Sequence, residues 1–500
     1  MKKSKKIINI GPITAIIFMS IILMLLSFLL NKIGYKGYIT NPETHEKTLV
    51  TVNNIFSRTG LKYIFSSTVS NFRLIEPLVI LIMSFITLSI IDSSGLLNHV
   101  VKPLKSVKHS YITFALVFIS VISTFLGDYC YAILLPFAGV LYKYLDRDPK
   151  NGIIITYIGI TMGYATGIFY NYQDLVLNNY SATAAKDVIF SFKLNPLSSI
   201  YLLIASSLII TLVFSNIIDK KFSKKIRKDE SEQEKFIESG IALKTTGICF
   251  LVMILISAYC IIPGLPFSGL LLNDKENLYI AKLMGDGSPF KDGFLFLFII
   301  IFMICGYIYG RISRNIKNAR EYNKSISKAF ENTGFLFATL FFSSIMINIL
   351  DWTKIGEVFC LNIISSMEKL EFSGFFLIVA TLIMCFLATI LIPSTVKKWE
   401  LISPTMVPLL MRANISPAYT QMVFKVGDAI GKCFSPVYIY LFVLIGLLYK
   451  YEDNGEEIKL FSTIKKMMPF VIILAITWLA IILGWYLVGI KIGVGTLPTI

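Results

Sequence analysis

Two polar segments, Asp128–Asp174 and Lys397–Pro436, are set in otherwise apolar sequence and match each other without a gap. Pro stands at 404 as at 136 and at 417 as at 149, a constant difference of 268. On the same register Gly427 and Gly431 answer Gly159 and Gly163, and Trp399 answers Tyr131. Helix-breaking residues that recur in register in two halves of a membrane chain are the mark of an internal repeat building a transport site from broken helices. The pattern therefore bears on function as well as on fold.

That the chain belongs in a membrane follows from composition. It is 55% hydrophobic and 16% charged, with a mean hydropathy of +0.70, outside the range of soluble domains. A helix crosses the hydrocarbon core in roughly 20 residues. Apolar runs occur near 11–31, 75–95, 111–127, 131–145, 152–170, 198–218, 247–265, 293–310, 329–350, 374–393, 435–449 and 467–490. The expected class is an all-α polytopic membrane protein.

Met1–Lys6 is basic like a signal-peptide start, but the apolar stretch behind it is too long and lacks a small-residue cleavage site. It is read as an uncleaved first helix with its N-terminus in the cytoplasm. The basic loops Lys102–His109, Lys143–Lys150, Asp219–Lys235, Arg311–Lys328 and Lys450–Lys466 should share that side. Loops 32–74 and 266–292 then face outward. The net charge of +16 reads as topology rather than as a nucleic-acid surface. Residues 1–218 form a first membrane half, 219–246 a cytoplasmic linker and 247–500 a second half.

Seven cysteines form no Cys-x-x-Cys pair, so neither a disulfide framework nor a zinc site is indicated. The three histidines, at 45, 99 and 109, lie in loops or at helix ends, which leaves proton work in the interior to carboxylates. No cofactor or metal is expected beyond Na+ or H+ as a coupling ion.

Charge parity at 111–145 requires a re-entrant hairpin with Gly127-Asp128-Tyr129 at its tip. A second is expected over 374–412, where Ile392–Trp399 interrupts the helix and Pro404 and Pro408 oppose a restart. Irregular backbone at membrane depth survives only when enclosed or lining a watery cavity, so both tips should point into one interior. The stretch 351–373 reads as an interfacial connector.

Asp128 and Asp174 stand in polar, Gly-rich surroundings, either within the membrane interior with a partner or a task, or wet at the outer interface. Lys425, Asp428 and Lys432 fall on one helix face. They are either a self-neutralising pair or the wall of a cavity, and Gly427 and Gly431 let a ligand or another backbone approach that helix. Trp399 is either an interfacial anchor or an aromatic plate for a planar ring. Half-helices ending at Pro404, Pro417 and Pro436 would direct amide dipoles inward, the N-terminal ends suiting carboxylates.

At these residues the chain resembles the AbgT family of p-aminobenzoyl-glutamate transporters. The resemblance runs through Thr68–Phe72, Asp92–Leu97, Asp128–Pro136, Arg147–Pro149, Lys398–Pro404, Ile415–Pro417, Val426–Asp428 and Ser435–Pro436. It implies a homodimeric inner-membrane carrier of a bacterium, with about nine transmembrane helices in an inverted repeat and two re-entrant helical hairpins. Carried over by position, the functional residues would be Asp174, Asp428, Trp399, Pro404, Pro417 and Pro436. Gly167, Pro393, Val396 and Lys425 depart from the residues usual in the family, Lys425 replacing a forked Arg by a point charge.

The expected function is ion-coupled secondary transport of p-aminobenzoyl-glutamate or a similar anionic aromatic dicarboxylate by alternating access. The alternative on the same scaffold is a sulfonamide-type antimetabolite efflux pump. A membrane-embedded enzyme would want a nucleophile or metal cluster near one interface, and the sequence offers none.

Overall fold

The computed structural model describes residues 11–40, 46–168, 171–222, 236–285, 287–369, 374–452 and 458–500. Met1–Lys6 and the middle of the expected linker, 223–235, lie outside them. In chain order the elements are α1 (Pro12–Ile33), the antiparallel strands β1 (Lys36–Thr40) and β2 (Lys47–Thr51), α2 (Arg58–Arg73), α3 (Glu76–Ser93), α4 (Leu96–Val101), α5 (His109–Ile122), α6 (Tyr129–Tyr144), α7 (Pro149–Gly163), α8 (Tyr172–Ala185) and α9 (Ile200–Phe222). There follow α10 (Gly240–Ile261), α11 (Tyr279–Met284), α12 (Pro289–Ile312), α13 (Ala319–Lys328), α14 (Gly334–Thr353), α15 (Ile355–Met367), α16 (Gly374–Leu391), α17 (Thr395–Arg412), α18 (Pro417–Phe434), α19 (Ile439–Lys450) and α20 (Leu460–Val488). Among the described residues, ten helical stretches are long and apolar enough to cross a membrane. The protein is multi-pass and mostly helical, as expected, with one small antiparallel pair of strands, β1 and β2.

The repeat extends beyond the two polar segments. α7 begins at 149 and α18 at 417, the sequence offset of 268, and the bounds of α5, α6, α8 and α9 keep that spacing to α16, α17, α19 and α20 within a few residues, save the start of α20. Asp148 caps α7 and its counterpart Ser416 caps α18, each accepting a first-turn amide. Packing is reciprocal: α8 lies on α17 and α18, while α19 lies on α6 and α7. α7 also packs on α18 and α9 on α20. Exchange of equivalent partners in this way requires a two-fold relation between the repeats. α9 runs into the basic stretch Asp219–Lys235, whereas α20 starts from the basic stretch Lys450–Lys466. The basic ends of these corresponding helices are thus opposite, the charge pattern of an inverted repeat.

Glycine sets how closely each inner helix pair packs. A Cβ on Gly427 would stand 2.6 Å from Cys385 Cβ and 2.7 Å from the Leu382 carbonyl, and one on Gly431 2.5 Å from Thr389 Cβ, both on α16. The counterparts Gly159 and Gly163 would meet Ser120 Cβ at 2.8 Å and the Val121 carbonyl at 2.4 Å, on α5. What comes close to Gly427 and Gly431 is thus another backbone, by the small-residue packing of membrane helices.

The prolines break the chain less than expected. Pro136 lies buried inside α6, and Pro404 and Pro408 lie buried inside an uninterrupted α17. Pro404 and Pro408 are one turn apart, so the carbonyls they leave unpaired share one face, and neighbouring helices enclose it. The breaks come before the prolines, at the 3-10 turn Ser123–Leu126 followed by Gly127 (φ +66°), at the expected tip, and at 392–394, within the expected interruption Ile392–Trp399. Pro417 opens α18 at its first turn, where proline fits, and Pro436 follows its end. Two other expectations shift. Loop 32–74 contains β1, β2 and α2, and the connector at 351–373 is mostly the end of α14 and α15, with 370–373 outside the described residues. Within the expected linker, Glu238 accepts from Lys102 Nζ at 2.8 and 3.0 Å, which holds its carboxyl below the ordinary range.

Candidate functional site

The two tips meet at one cavity of about 330 Å3. Asp128 and its repeat counterpart Val396 both line it. Glu76 opens α3, Asp128 and Tyr129 open α6, Asn171 and Tyr172 open α8, Lys291 lies in the first turn of α12, and Val396 in that of α17. The first turns of five helices thus converge on one space, with the positive ends of their dipoles. Phe125, Tyr129, Tyr172 and Phe294 supply ring surface, and Lys291 Nζ lies 5.3 Å from the Tyr172 ring centroid.

Behind the tips lies a buried charge cluster. Asp428 Oδ1 accepts from Lys398 Nζ and, at 3.1 Å, from Thr389 Oγ1. Its Oδ2 accepts from Thr395 Oγ1 at 2.6 Å and lies 3.3 Å from Lys432 Nζ. The side chains of Lys398, Asp428 and Lys432 are at most 2% exposed. Lys432 Nζ donates to Thr395 Oγ1 at 2.7 Å and stands 3.7 Å from the Tyr164 ring centroid. The Tyr164 hydroxyl donates to Asp128 Oδ1, as does Tyr438 at 3.4 Å. The cluster therefore joins α6 and the end of α7 in one repeat to α16, α17, α18 and the start of α19 in the other.

A second buried pair sits one turn back along α18. Lys425 Nζ donates to Asp174 Oδ1 at 2.5 Å, and the side chains are 5% and 4% exposed. Asp174 is in the first turn of α8, its amide capped by Asn171 Oδ1 at 2.7 Å, and among the described residues its Oδ2 has no hydrogen-bond partner. Trp399 is fully buried at the same junction and stacks on Phe424 at 4.5 Å. Its Nε1 donates to the Leu177 carbonyl at 3.1 Å and to Ser181 Oγ at 3.0 Å, and Ser181 Oγ donates to Gln421 Oε1 at 2.7 Å. Its counterpart Tyr131 stacks at 4.6 Å on Tyr440 of α19. Each aromatic thus seats the crossing helix of the opposite repeat.

Of the residues singled out in the sequence, Asp128 lines the cavity. Asp174, Lys425 and Asp428 are buried in ion pairs behind it. Trp399 packs at the α8–α17 junction rather than on the cavity wall. Pro404 is interior to α17, and Pro417 and Pro436 bound α18. Val396 faces the cavity, Pro393 offers its carbonyl to Lys398 Nζ at 3.5 Å, and Gly167 is buried with its amide donating to the Leu203 carbonyl at 3.3 Å. Sequence reasoning missed Glu76, Lys291, Lys398 as a buried cation, and Tyr164. Only the offset of 268 could have found Tyr164, which answers Lys432.

A family model described as the AbgT putative transporter family matches residues 8–500. The chain is 23% identical over 493 residues to the p-aminobenzoyl-glutamate transport protein of Escherichia coli (strain K12), covering 97% of this chain and 94% of that protein. Among solved structures, the Alcanivorax borkumensis YdaH transporter aligns with a TM-score of 0.51 at 22% identity, covering 97% of this chain and 100% of that one, which shows a shared fold. Neisseria gonorrhoeae MtrF, from a class of antimetabolite efflux pumps, aligns with a TM-score of 0.49 at 22% identity, covering 96% of each chain.

Proposed function

The chain belongs to the AbgT family, and from that premise we propose that it is an ion-coupled secondary transporter of p-aminobenzoyl-glutamate or a similar aromatic dicarboxylate. Alternating access would move the two repeats about the cavity at their tips. The convergence of five helix N-termini, together with Lys291, on that space carries the substrate class. The helix ends and Lys291 suit an anionic group beside the Glu76 and Asp128 carboxylates that line the same space, and the four aromatic side chains suit a planar ring. A cavity of about 330 Å3 is in the range of small-molecule sites. The Escherichia coli relative is a p-aminobenzoyl-glutamate transport protein, and that compound has one planar ring and carboxylates.

A homodimer in the plasma membrane of a bacterium, spanning it with re-entrant tips at Asp128 and Val396 and a cytoplasmic N-terminus, belongs to the same reading. The basic loops support the orientation. The deciding experiment is uptake of radiolabelled p-aminobenzoyl-glutamate into proteoliposomes with an imposed proton or sodium gradient. Accumulation above the external concentration is expected. Equilibration without accumulation would leave no coupled carrier, and net loss from preloaded vesicles of a sulfonamide instead would make the protein an exporter.

A further inference from the structure

Four donors crowd the two oxygens of Asp428: Lys398 Nζ and Thr389 Oγ1 on Oδ1, Thr395 Oγ1 and Lys432 Nζ on Oδ2. Each oxygen thus has one ammonium and one hydroxyl beside it, Thr389 Oγ1 also reaching the Cys385 carbonyl at 2.8 Å. The Lys432 ammonium is engaged as fully, with Thr395 Oγ1 at 2.7 Å, Asp428 Oδ2 at 3.3 Å and the Tyr164 ring at 3.7 Å. A carboxylate oxygen, a hydroxyl oxygen and an aromatic face are the ligands that hold a free monovalent cation. With both carboxylates ionised, Lys398 and Lys432 balance Asp428 and Asp128, so the cluster is neutral without any added ion.

We propose that Lys432 is a tethered cation, its ammonium filling at Asp428 the place of an exchangeable monovalent ion, so that translocation requires no Na+ at this centre. The inference rests on the transport reading and deepens it by stating which ion the buried carboxylate does not carry. A second cation entering here would meet a carboxylate already held by two ammonium groups in a low-dielectric interior, where like charges repel strongly. Removing the Lys432 ammonium reverses the balance. Lys398 alone would face Asp428 and Asp128, leaving one net negative charge, two freed oxygens and the open face of Tyr164, which together make a cation site.

The experiment is thermal unfolding of the purified full-length protein in choline chloride against sodium chloride or methylammonium chloride at equal ionic strength. Wild type and Lys432→Arg should unfold at the same temperature in all three salts. Lys432→Ala should unfold at a lower temperature in choline and rise saturably with Na+ or methylammonium, and its uptake in proteoliposomes should return only with one of those cations. If Lys432→Ala does not fold, Lys432→Gln keeps the hydrogen bond to Thr395 and carries the same comparison. Stabilisation of wild type by Na+ as large as that of the variant, or a folded variant indifferent to both cations, overturns the proposal. The thermal measurement uses no substrate, so a failure of uptake in every salt counts against the transport reading alone.

Discussion

Lys432 Nζ lies 3.7 Å from the ring centroid of Tyr164, and these two residues hold equivalent positions in the two repeats, 432 against 164. The ring holds the cation of one repeat while the hydroxyl holds Asp128 of the other. Tyr164→Phe keeps the first contact and loses the second, so a loss of about 1 to 2 kcal/mol is expected. Tyr164→Ala loses both and should be less stable by a further 0.5 to 2 kcal/mol or so. Thermal unfolding in detergent orders the three proteins, and equal stability of the Phe and Ala variants would refute a role for the ring.

The pair formed by Lys425 and Asp174 at 2.5 Å joins α18 to the first turn of α8. Asp174→Asn leaves a buried ammonium without its counter-charge, a loss of roughly 3 to 5 kcal/mol. Combining it with Lys425→Met, which removes the orphaned charge, should recover most of that loss without recovering uptake. A double variant as unstable as the single one would show that the pair acts through something other than charge.

Glycine packing gives a paired comparison. Gly427→Val places methyl groups where Cys385 and Leu382 already stand, and overpacking of this kind costs about 1 to 3 kcal/mol. Gly247→Ala, inside α10 with nothing within 4 Å of the new Cβ, should stabilise by about 0.5 to 1 kcal/mol through helix propensity. Unfolding temperatures moving in opposite directions are expected, and a shift of the same sign in both would contradict the packing account.

Lys291 is the cationic side chain on the cavity wall. Lys291→Gln should raise the KM for an aromatic dicarboxylate by roughly tenfold or more, the loss of a charge-assisted hydrogen bond, with kcat little changed. Initial-rate uptake measures both constants. An unaltered KM would place the substrate carboxylates elsewhere.

The repeat was legible because a gapless offset survives in Pro136 and Pro404, Pro149 and Pro417, and the glycine pairs, all of which meet backbone constraints that few residues satisfy. The positions of the breaks were only half legible. The break at 392–394 falls inside the expected interruption Ile392–Trp399, marked by Pro393 and the capping Ser394, whereas Pro404 signals a missing amide that an enclosed membrane helix tolerates. α8 was invisible to hydropathy since Asp174, Asn178 and their neighbours dilute it, although it is the helix that reaches into the other repeat. Lys398 read as a companion of an interfacial tryptophan. Its partner Asp428 is thirty positions away, and no local pattern links residues that meet only when two helices pack.

The crossing of α8 and α19 bears on how such a chain must assemble. If α5–α9 were a separate protein, two identical copies exchanging this one helix would bury the same surfaces and close the same interior, as a symmetric dimer does. The single chain therefore has the architecture of a symmetric pair, each repeat supplying the arm that the other lacks. During synthesis the first repeat has to wait for α17 and α18 before α8 finds its seat. Until then the carboxylate of Asp174 is without the Lys425 ammonium that partners it in the folded chain.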